Sequence, residues 1–225
     1  MKRAVLFDTE TTGLDPLTGD RVLEIAALEL VGDLPTGRHY HTLIDPERDV
    51  PEEAARVHGY TRAHLAGQRK FHEIAHEFLA FVGDDMLIAH NAPFDFGFVN
   101  AEFARIGLPS LPLTRMVDTL DMARTRFPGL PNSLDALCRR FEIDLSARTT
   151  HNALLDCRLL AEVYVELMGG RQRGLELAIA AGGPSAVAYA RQAGRVPRRV
   201  VPDEAELAAH AAFMAQLRDP VWLKE

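Results

Sequence analysis

The sequence predicts an α/β domain followed by a linker and a helical tail, and three observations carry that reading. An apolar run, Ala4 to Phe7, forms a buried strand that ends on two carboxylates, Asp8 and Glu10, before a Thr-Thr-Gly turn. Two further strand-like runs, 22–31 and 38–45, flank Gly-Asp-Leu-Pro-Thr-Gly, a hairpin signal that makes the first third a three-stranded meander. From residue 71 onward, amphipathic helical segments alternate with short apolar strands until Gly169-Gly170 stops the last long helix.

Element by element, Glu24 and Glu29 read as solvated residues of the second strand, and residues 51–60 as a loop or short turn with Glu53 and His58 as its polar groups. Residues 71–82 place Phe71, Ile74, Ala75, Phe78, Leu79 and Val82 on one helical face, with Gly83 as C-cap. Met86 to Ala89 is a short strand; Pro93 then fits the first turn of a helix capped by Asn91 or Ala92, which puts Asp95 in that turn. Met116 to Asp118 is a further strand, with Asp118 as a helix N-terminal acid. Asn132-Ser133-Leu134-Asp135 begins an amphipathic helix to about Phe141 with Cys138 buried in it. The longest helix opens after His151, carries Asp156 one turn in, and spaces Leu155, Leu159, Val163 and Leu167 for burial.

Composition narrows the function classes. With 47% hydrophobic and 25% charged residues the chain reads as an ordinary soluble protein with one large domain and an appendage. Two cysteines, Cys138 and Cys157, are too few for a disulfide framework or a cysteine-based zinc site, which points to a reducing compartment. No leader or membrane span is evident, so the expected location is cytoplasmic. The net charge of −7 argues against sequence-independent adhesion to a polyanion, so any nucleic acid is held locally or delivered by a partner.

The chemistry-bearing candidates start with Asp8 and Glu10. Residues i and i+2 of a strand share a face, and two acids side by side at the end of a core strand repel each other and lose solvation. A divalent metal between them resolves the conflict; a solvated acidic turn is the plainer alternative. A second pattern, His72-Glu73-Ile74-Ala75-His76, matches the H-E-x-x-H helix motif of zinc peptidases, yet both histidines flank the apolar stripe and Glu73 points away from it. It reads as a solvated face and stands as an alternative of a different class.

The ordered set Asp8-x-Glu10, Asp95 and His151-x4-Asp156 resembles the DEDDh family of 3′→5′ exonucleases. The accessory text agrees: Phe-Asp-Thr-Glu-Thr-Thr-Gly-Leu, Val-His-Gly, Ala-His-Asn-Ala-Pro-Phe-Asp, Asn-Ser-Leu-Asp-Ala-Leu-Cys and His-Asn-Ala-Leu-Leu-Asp, over roughly residues 3–170. The resemblance implies a ribonuclease-H-like mixed β-sheet flanked by α-helices. It implies two divalent cations, Mg²⁺ or Mn²⁺, about 3.5–4 Å apart, held by Asp8, Glu10 and Asp156 with Asp95 completing the cluster. His151 would be the general base. Thr9, Thr11, Glu53, His58, Asn91 and Phe94 would meet the terminal nucleotide together with Asp8, Glu10 and Asp156. An RNA-trimming member of the family carries the same five residues, because carboxylates and an imidazole do not read the 2′-hydroxyl.

The tail refines the resemblance. Gln172-Arg173-Gly174-Leu175-Glu176-Leu177 resembles the Q-x-x-L-x-L peptides that bind the bacterial sliding clamp, with Gln172, Leu175 and Leu177 as its anchors. An Ala/Gly/Pro-rich linker follows, and Asp203 with Glu206 then opens a helix with Leu207, His210, Phe213, Met214 and Leu217 on one face, and Trp222 beyond it. This tail is similar to the polymerase-binding tails of the epsilon (proofreading) subunits of bacterial DNA polymerase III. The implied organisation is an exonuclease domain at 1–170, a clamp motif and linker at 171–201, and a polymerase-binding tail at 202–225. The implied partners are a single-stranded or frayed DNA 3′ terminus, the polymerase alpha subunit through Leu207, Phe213 and Trp222, the clamp and a small theta-type subunit, without a membrane. A non-catalytic scaffold linking clamp to polymerase is the remaining alternative.

Overall fold

The computed structural model describes residues 2–170 and 201–216, which fall in two units, 1–175 and 176–225. In the first unit, strands β1 (Arg3–Thr11), β2 (Val22–Val31), β3 (Leu34–Leu43), β4 (Met86–Ala89) and β5 (Met116–Asp118) form one mixed sheet in the order β3-β2-β1-β4-β5. The central strand β1 runs antiparallel to β2 and parallel to β4, and β4 runs parallel to β5. This is the mixed sheet flanked by helices that the sequence implies.

The β2–β3 hairpin is tighter than expected. Gly32 (φ 61°) and Asp33 (φ 67°) both take the left-handed conformation, making a two-residue turn, so β3 starts at Leu34 rather than 38. Pro35 is tolerated because β3 is an edge strand, where a missing N–H interrupts one ladder only. Residues 51–60 are not a loop: α1 (Glu52–His58) runs from the N-cap Pro51 to the C-cap Gly59 (φ 81°), with Glu52 and Glu53 at its positive end. The short α2 (Arg62–Leu65) follows it.

Helices then cover both faces of the sheet. On one face α3 (Phe71–Val82) and α4 (Ala92–Arg105) bury Phe71, Phe78, Phe96 and Phe103 against Val5, Phe7 and Ile25. Phe7 meets Phe96 edge-on at 5.5 Å between ring centres. On the other face α7 (Ala153–Leu167) lays Ala153, Cys157, Leu160 and Tyr164 on Leu6, Ala26 and Leu28. Its second apolar stripe, Leu159, Val163 and Leu167, packs with Ala123 and Leu137 of α5 (Thr119–Arg126) and α6 (Leu134–Arg140). Each fully buried side chain of this size contributes about 1.5–3 kcal/mol.

The alternation along β1 decides where the chemistry sits. Val5 and Phe7 face α3 and α4, so Leu6, Asp8 and Glu10 face α7. Pairing of β1 with β4 ends at Leu6, while β1 continues to Thr11. The last turn of β1 therefore overhangs the carboxyl end of the parallel strands, where α/β sheets form their ligand crevices.

In the second unit α8 (Glu204–Met214) is capped by Asp203, which accepts from Glu206 N at 2.8 Å while Glu206 accepts from Asp203 N at 3.0 Å. Leu207 and Phe213 are exposed on it. Gln172, Leu175, Leu177, Leu217 and Trp222 and the linker lie outside the described residues.

Candidate active site

The four acids reach the crevice from three elements, each for a local reason. Asp8 and Glu10 arrive on one face of β1, Asp8 opposite Ala26 and Glu10 opposite Glu24 of β2. Asp95 comes from the first turn of α4, whose N-cap Asn91 holds φ at 68°. Since β4 has ended, Thr9 N–H has no strand partner on that side and donates to Asp95 Oδ1 at 3.0 Å; the Thr9 hydroxyl adds a second bond at 2.8 Å. Asp156 comes from the first turn of α7. His151 precedes that helix, with its backbone N–H on Val57 O at 3.0 Å, and its ring Nδ1 lies 3.6 Å from Asp156 Oδ2.

These residues line one cavity of about 630 Å³. Of the residues named from the sequence, Asp8, Thr9, Glu10, Thr11, Glu53, His58, Phe94, Asp95, His151 and Asp156 border it. Asn91 does not: it is exposed in a neighbouring groove, and its N–H is bound by Asp118 Oδ1 at 2.9 Å. Thr11 turns its hydroxyl to Gly13 O at 2.6 Å. A Cβ at Gly13 would lie 2.2 Å from Asp20 Oδ2, so any other residue there would have to displace the Asp20 carboxylate. His58 is buried; its Nδ1 accepts from Tyr60 N at 3.1 Å, so its proton sits on Nε2, which makes no hydrogen bond of normal geometry. Burial holds the His58 imidazole below its usual pKa, so the ring is neutral where it borders the cavity, and its Nε2 is itself buried.

The electrostatics fit a cation. No protein hydrogen bond engages the carboxylates of Asp8 or Glu10 among the described residues, whereas those of Asp95 and Asp156 are held. Burial, reinforced by Asp95, Glu10 and Asp156, pushes the Asp8 carboxyl well above the usual range. Burial and Asp156 push Glu10 up to about 8, and burial pushes Asp95 up to about 7 against the two Thr9 bonds. Buried acids normally find donors, so paired carboxylates with open lone pairs form a hard-oxygen set suited to a divalent ion. Glu10, His151 and Asp156 each offer one ligand atom, all within 4.8 Å of one another. The His151 ring is half-exposed, and burial followed by the Arg148 charge keeps its pKa below the ordinary 6.5.

The alternative metal pair lacks a third ligand: among the described residues the group of three potential ligands is Glu10, His151 and Asp156. His72, Glu73 and His76 are all exposed on α3, and Glu73 accepts from Lys70 N at 2.7 Å as a helix cap.

Two residues that sequence reasoning missed support the site. Glu24 is fully buried, not solvated, and accepts from Asn152 Nδ2 (2.8 Å), Ala153 N (3.1 Å) and Tyr60 OH (3.1 Å), with His41 Nε2 at 2.6 Å. It ties β2 to the start of α7, next to His151. Glu29 is also buried, bound by Arg3, Thr36 and Arg38. The available signal is the run 22–31, apolar on both faces, in which any acid must be buried and partnered. The other residue is Arg148, which binds Asp156 through Nε–Oδ1 (2.6 Å) and Nη2–Oδ2 (2.7 Å). No motif marks it. Glu24→Ala should lower unfolding free energy by about 2–4 kcal/mol, because it removes the shared acceptor of the buried Ala153 N–H, Asn152 Nδ2 and Tyr60 OH; urea denaturation measures it, and a change near zero would contradict this account of the node.

The comparisons with known proteins agree with this geometry. The RNase T exonuclease family model matches residues 5–164. DNA polymerase III subunit epsilon of Rickettsia typhi is 53% identical over 173 residues, covering 76% of this chain and 76% of its own length. The same subunit of Escherichia coli is 39% identical over 224 residues, covering 93% of this chain and 91% of its own. Among solved structures, exonuclease X in complex with 5′ overhanging duplex DNA is 26% identical with a TM-score of 0.58, covering 75% of this chain and 91% of that chain.

Proposed function

The chain belongs to the exonuclease family, among the epsilon subunits of DNA polymerase III, and from that premise we propose how its own residues carry out 3′→5′ proofreading hydrolysis. The observation that carries the proposal is the convergence of four acids and His151 on the overhanging end of β1, with Asp8 and Glu10 open to a ligand. Asp8, Glu10 and Asp156 hold two divalent cations, Mg²⁺ or Mn²⁺, with Asp95 completing the cluster from its fixed position on Thr9. When bound, such a pair activates the attacking oxygen and stabilises the leaving one in phosphodiester hydrolysis. His151 takes the proton from the attacking water. His58 and Glu53 meet the terminal nucleotide, and Phe94, Leu14 and Val57 offer its base an apolar lip.

A scaffold without catalysis would have no use for repelling buried acids, and the high identity to epsilon subunits favours DNA over RNA. The tail belongs to the same proposal: Gln172, Leu175 and Leu177 engage the sliding clamp, while Leu207, Phe213 and Trp222 engage the polymerase alpha subunit, with a small theta-type subunit as a further partner. The setting is the replisome in the bacterial cytoplasm. Tethering offsets the acidic surface, since a linked second site raises effective concentration.

The test compares a mispaired with a paired 3′ terminus, using the full chain and a truncation after residue 170. The mispaired end should be cut faster, because it frays at lower cost and only a frayed strand enters the cavity. Truncation should leave digestion of free single strands nearly unchanged and remove co-purification with the polymerase. Equal rates on both ends, or a truncated chain that still binds polymerase, would contradict the proposal.

A further inference from the structure

Among the described residues, Arg148 is the one cation inside the acidic cluster. Its side chain is only 8% exposed, and Asp156 opposite it is 5% exposed. Nε and Nη2 take both oxygens of Asp156, Nη1 takes Asp135 Oδ1 on α6 at 2.5 Å, and Nη2 also lies 3.2 Å from His151 Nδ1. Arginine only donates, so Nδ1 of His151 is the acceptor in that last contact. The single proton of a neutral imidazole is then on Nε2, and neither ring nitrogen has a free lone pair. One guanidinium thus occupies two residues of the proposed chemistry at once, the carboxylate that holds an ion and the ring that takes a proton.

The asymmetry within the cluster points the same way. Asp8 and Glu10 are without donors among the described residues, while Asp156 is gripped by a bidentate pair of the strong, charge-assisted kind. Asp135 anchors the far side of the guanidinium, and Arg139 is also near Asp135 at 3.7 Å. Arg148 therefore has a place to remain when it lets go of Asp156.

We infer that Arg148 is a positioning residue that sets the site's affinity for divalent cations: its guanidinium competes with a cation for the Asp156 carboxylate and for Nδ1 of His151. This inference rests on the metal reading above. By its charge and its bonds Arg148 offsets the repulsion among the acids and weakens cation binding at Asp156.

The experiment uses the full chain without DNA and reads Mn²⁺ affinity by calorimetric titration, together with Tm in EDTA and in saturating Mn²⁺. Arg148→Gln should bind Mn²⁺ about tenfold more tightly than wild type, since removing a unit charge beside a divalent ion is worth that much even at the screening of bulk water. Its EDTA form should melt lower, and the rise in Tm on adding Mn²⁺ should be larger than in wild type. Arg148→Lys keeps the charge without the fork and should fall between the two; it carries the test if the glutamine variant does not fold. Unchanged or weaker affinity in these variants, with wild type binding normally, would overturn the inference and leave the metal reading intact. Wild type that binds no Mn²⁺ would overturn both.

Discussion

Asp8→Ala and Glu10→Ala should each reduce hydrolysis to background while leaving the metal-free fold as stable as wild type or more so. Both acids face an open cavity and accept no hydrogen bond from the described residues, so their removal strands no donor there. Glu10 titrates at about 8 in the fold against an ordinary 4.5, and Asp95 at about 7 against 3.8. A carboxyl whose pKa is raised by folding binds more protons in the native state, so stability falls as pH rises from about 4.5 through 8. In EDTA, denaturant midpoints of wild type should thus be lower at pH 8 than at pH 5, and Glu10→Ala should flatten that slope. Glu24→Ala, whose carboxylate is buried with donors, should do the reverse and destabilise at both pH values. If Glu10→Ala is the less stable protein at pH 8 in EDTA, the repulsion described here does not govern the cluster.

His151→Ala should lower turnover by roughly 10²–10⁴-fold, the usual worth of a positioned proton acceptor, while Mn²⁺ binding persists through the carboxylates. Its pKa is held below 6.5, so the imidazole is neutral at pH 7 and the acid limb of the wild-type rate profile lies below that value. The variant should lose that limb. Retention of the limb, with chemistry shown to be rate-limiting, would assign the titration to another group.

The parts of this molecule that can be read from sequence are those with a period or a punctuation mark. Asp8 and Glu10 follow from a strand that ends at a turn, Asp95 from Pro93 at a helix start, and Asp156 from the first turn of the long apolar-striped helix that opens after His151. Helix α1 carries its own marks, Pro51, two first-turn acids and Gly59, but its seven residues bury only His58 and give no apolar stripe. The start of β3 is hidden because Pro35 and Gly37 read as turn residues, although an edge strand accepts both. Glu24 reads as solvated because an acid in a strand usually is; its burial depends on Tyr60 and Asn152, which lie 36 and 128 residues away. Arg148 is set by packing of the loop before α7 against α6, and local sequence carries no trace of that.

The central claim is that the overhanging end of β1 is a divalent-cation site for phosphodiester hydrolysis. Crystals of the exonuclease domain grown with Mn²⁺ and a nucleoside 5′-monophosphate test it most directly, through anomalous scattering at the manganese edge. The account predicts peaks within about 2.0–2.6 Å of carboxylate oxygens of Asp8, Glu10 and Asp156, the range for hard divalent ions on oxygen, with the nucleotide in the cavity beside His58. Peaks at His72 and His76, or none near β1 at saturating Mn²⁺, would contradict it.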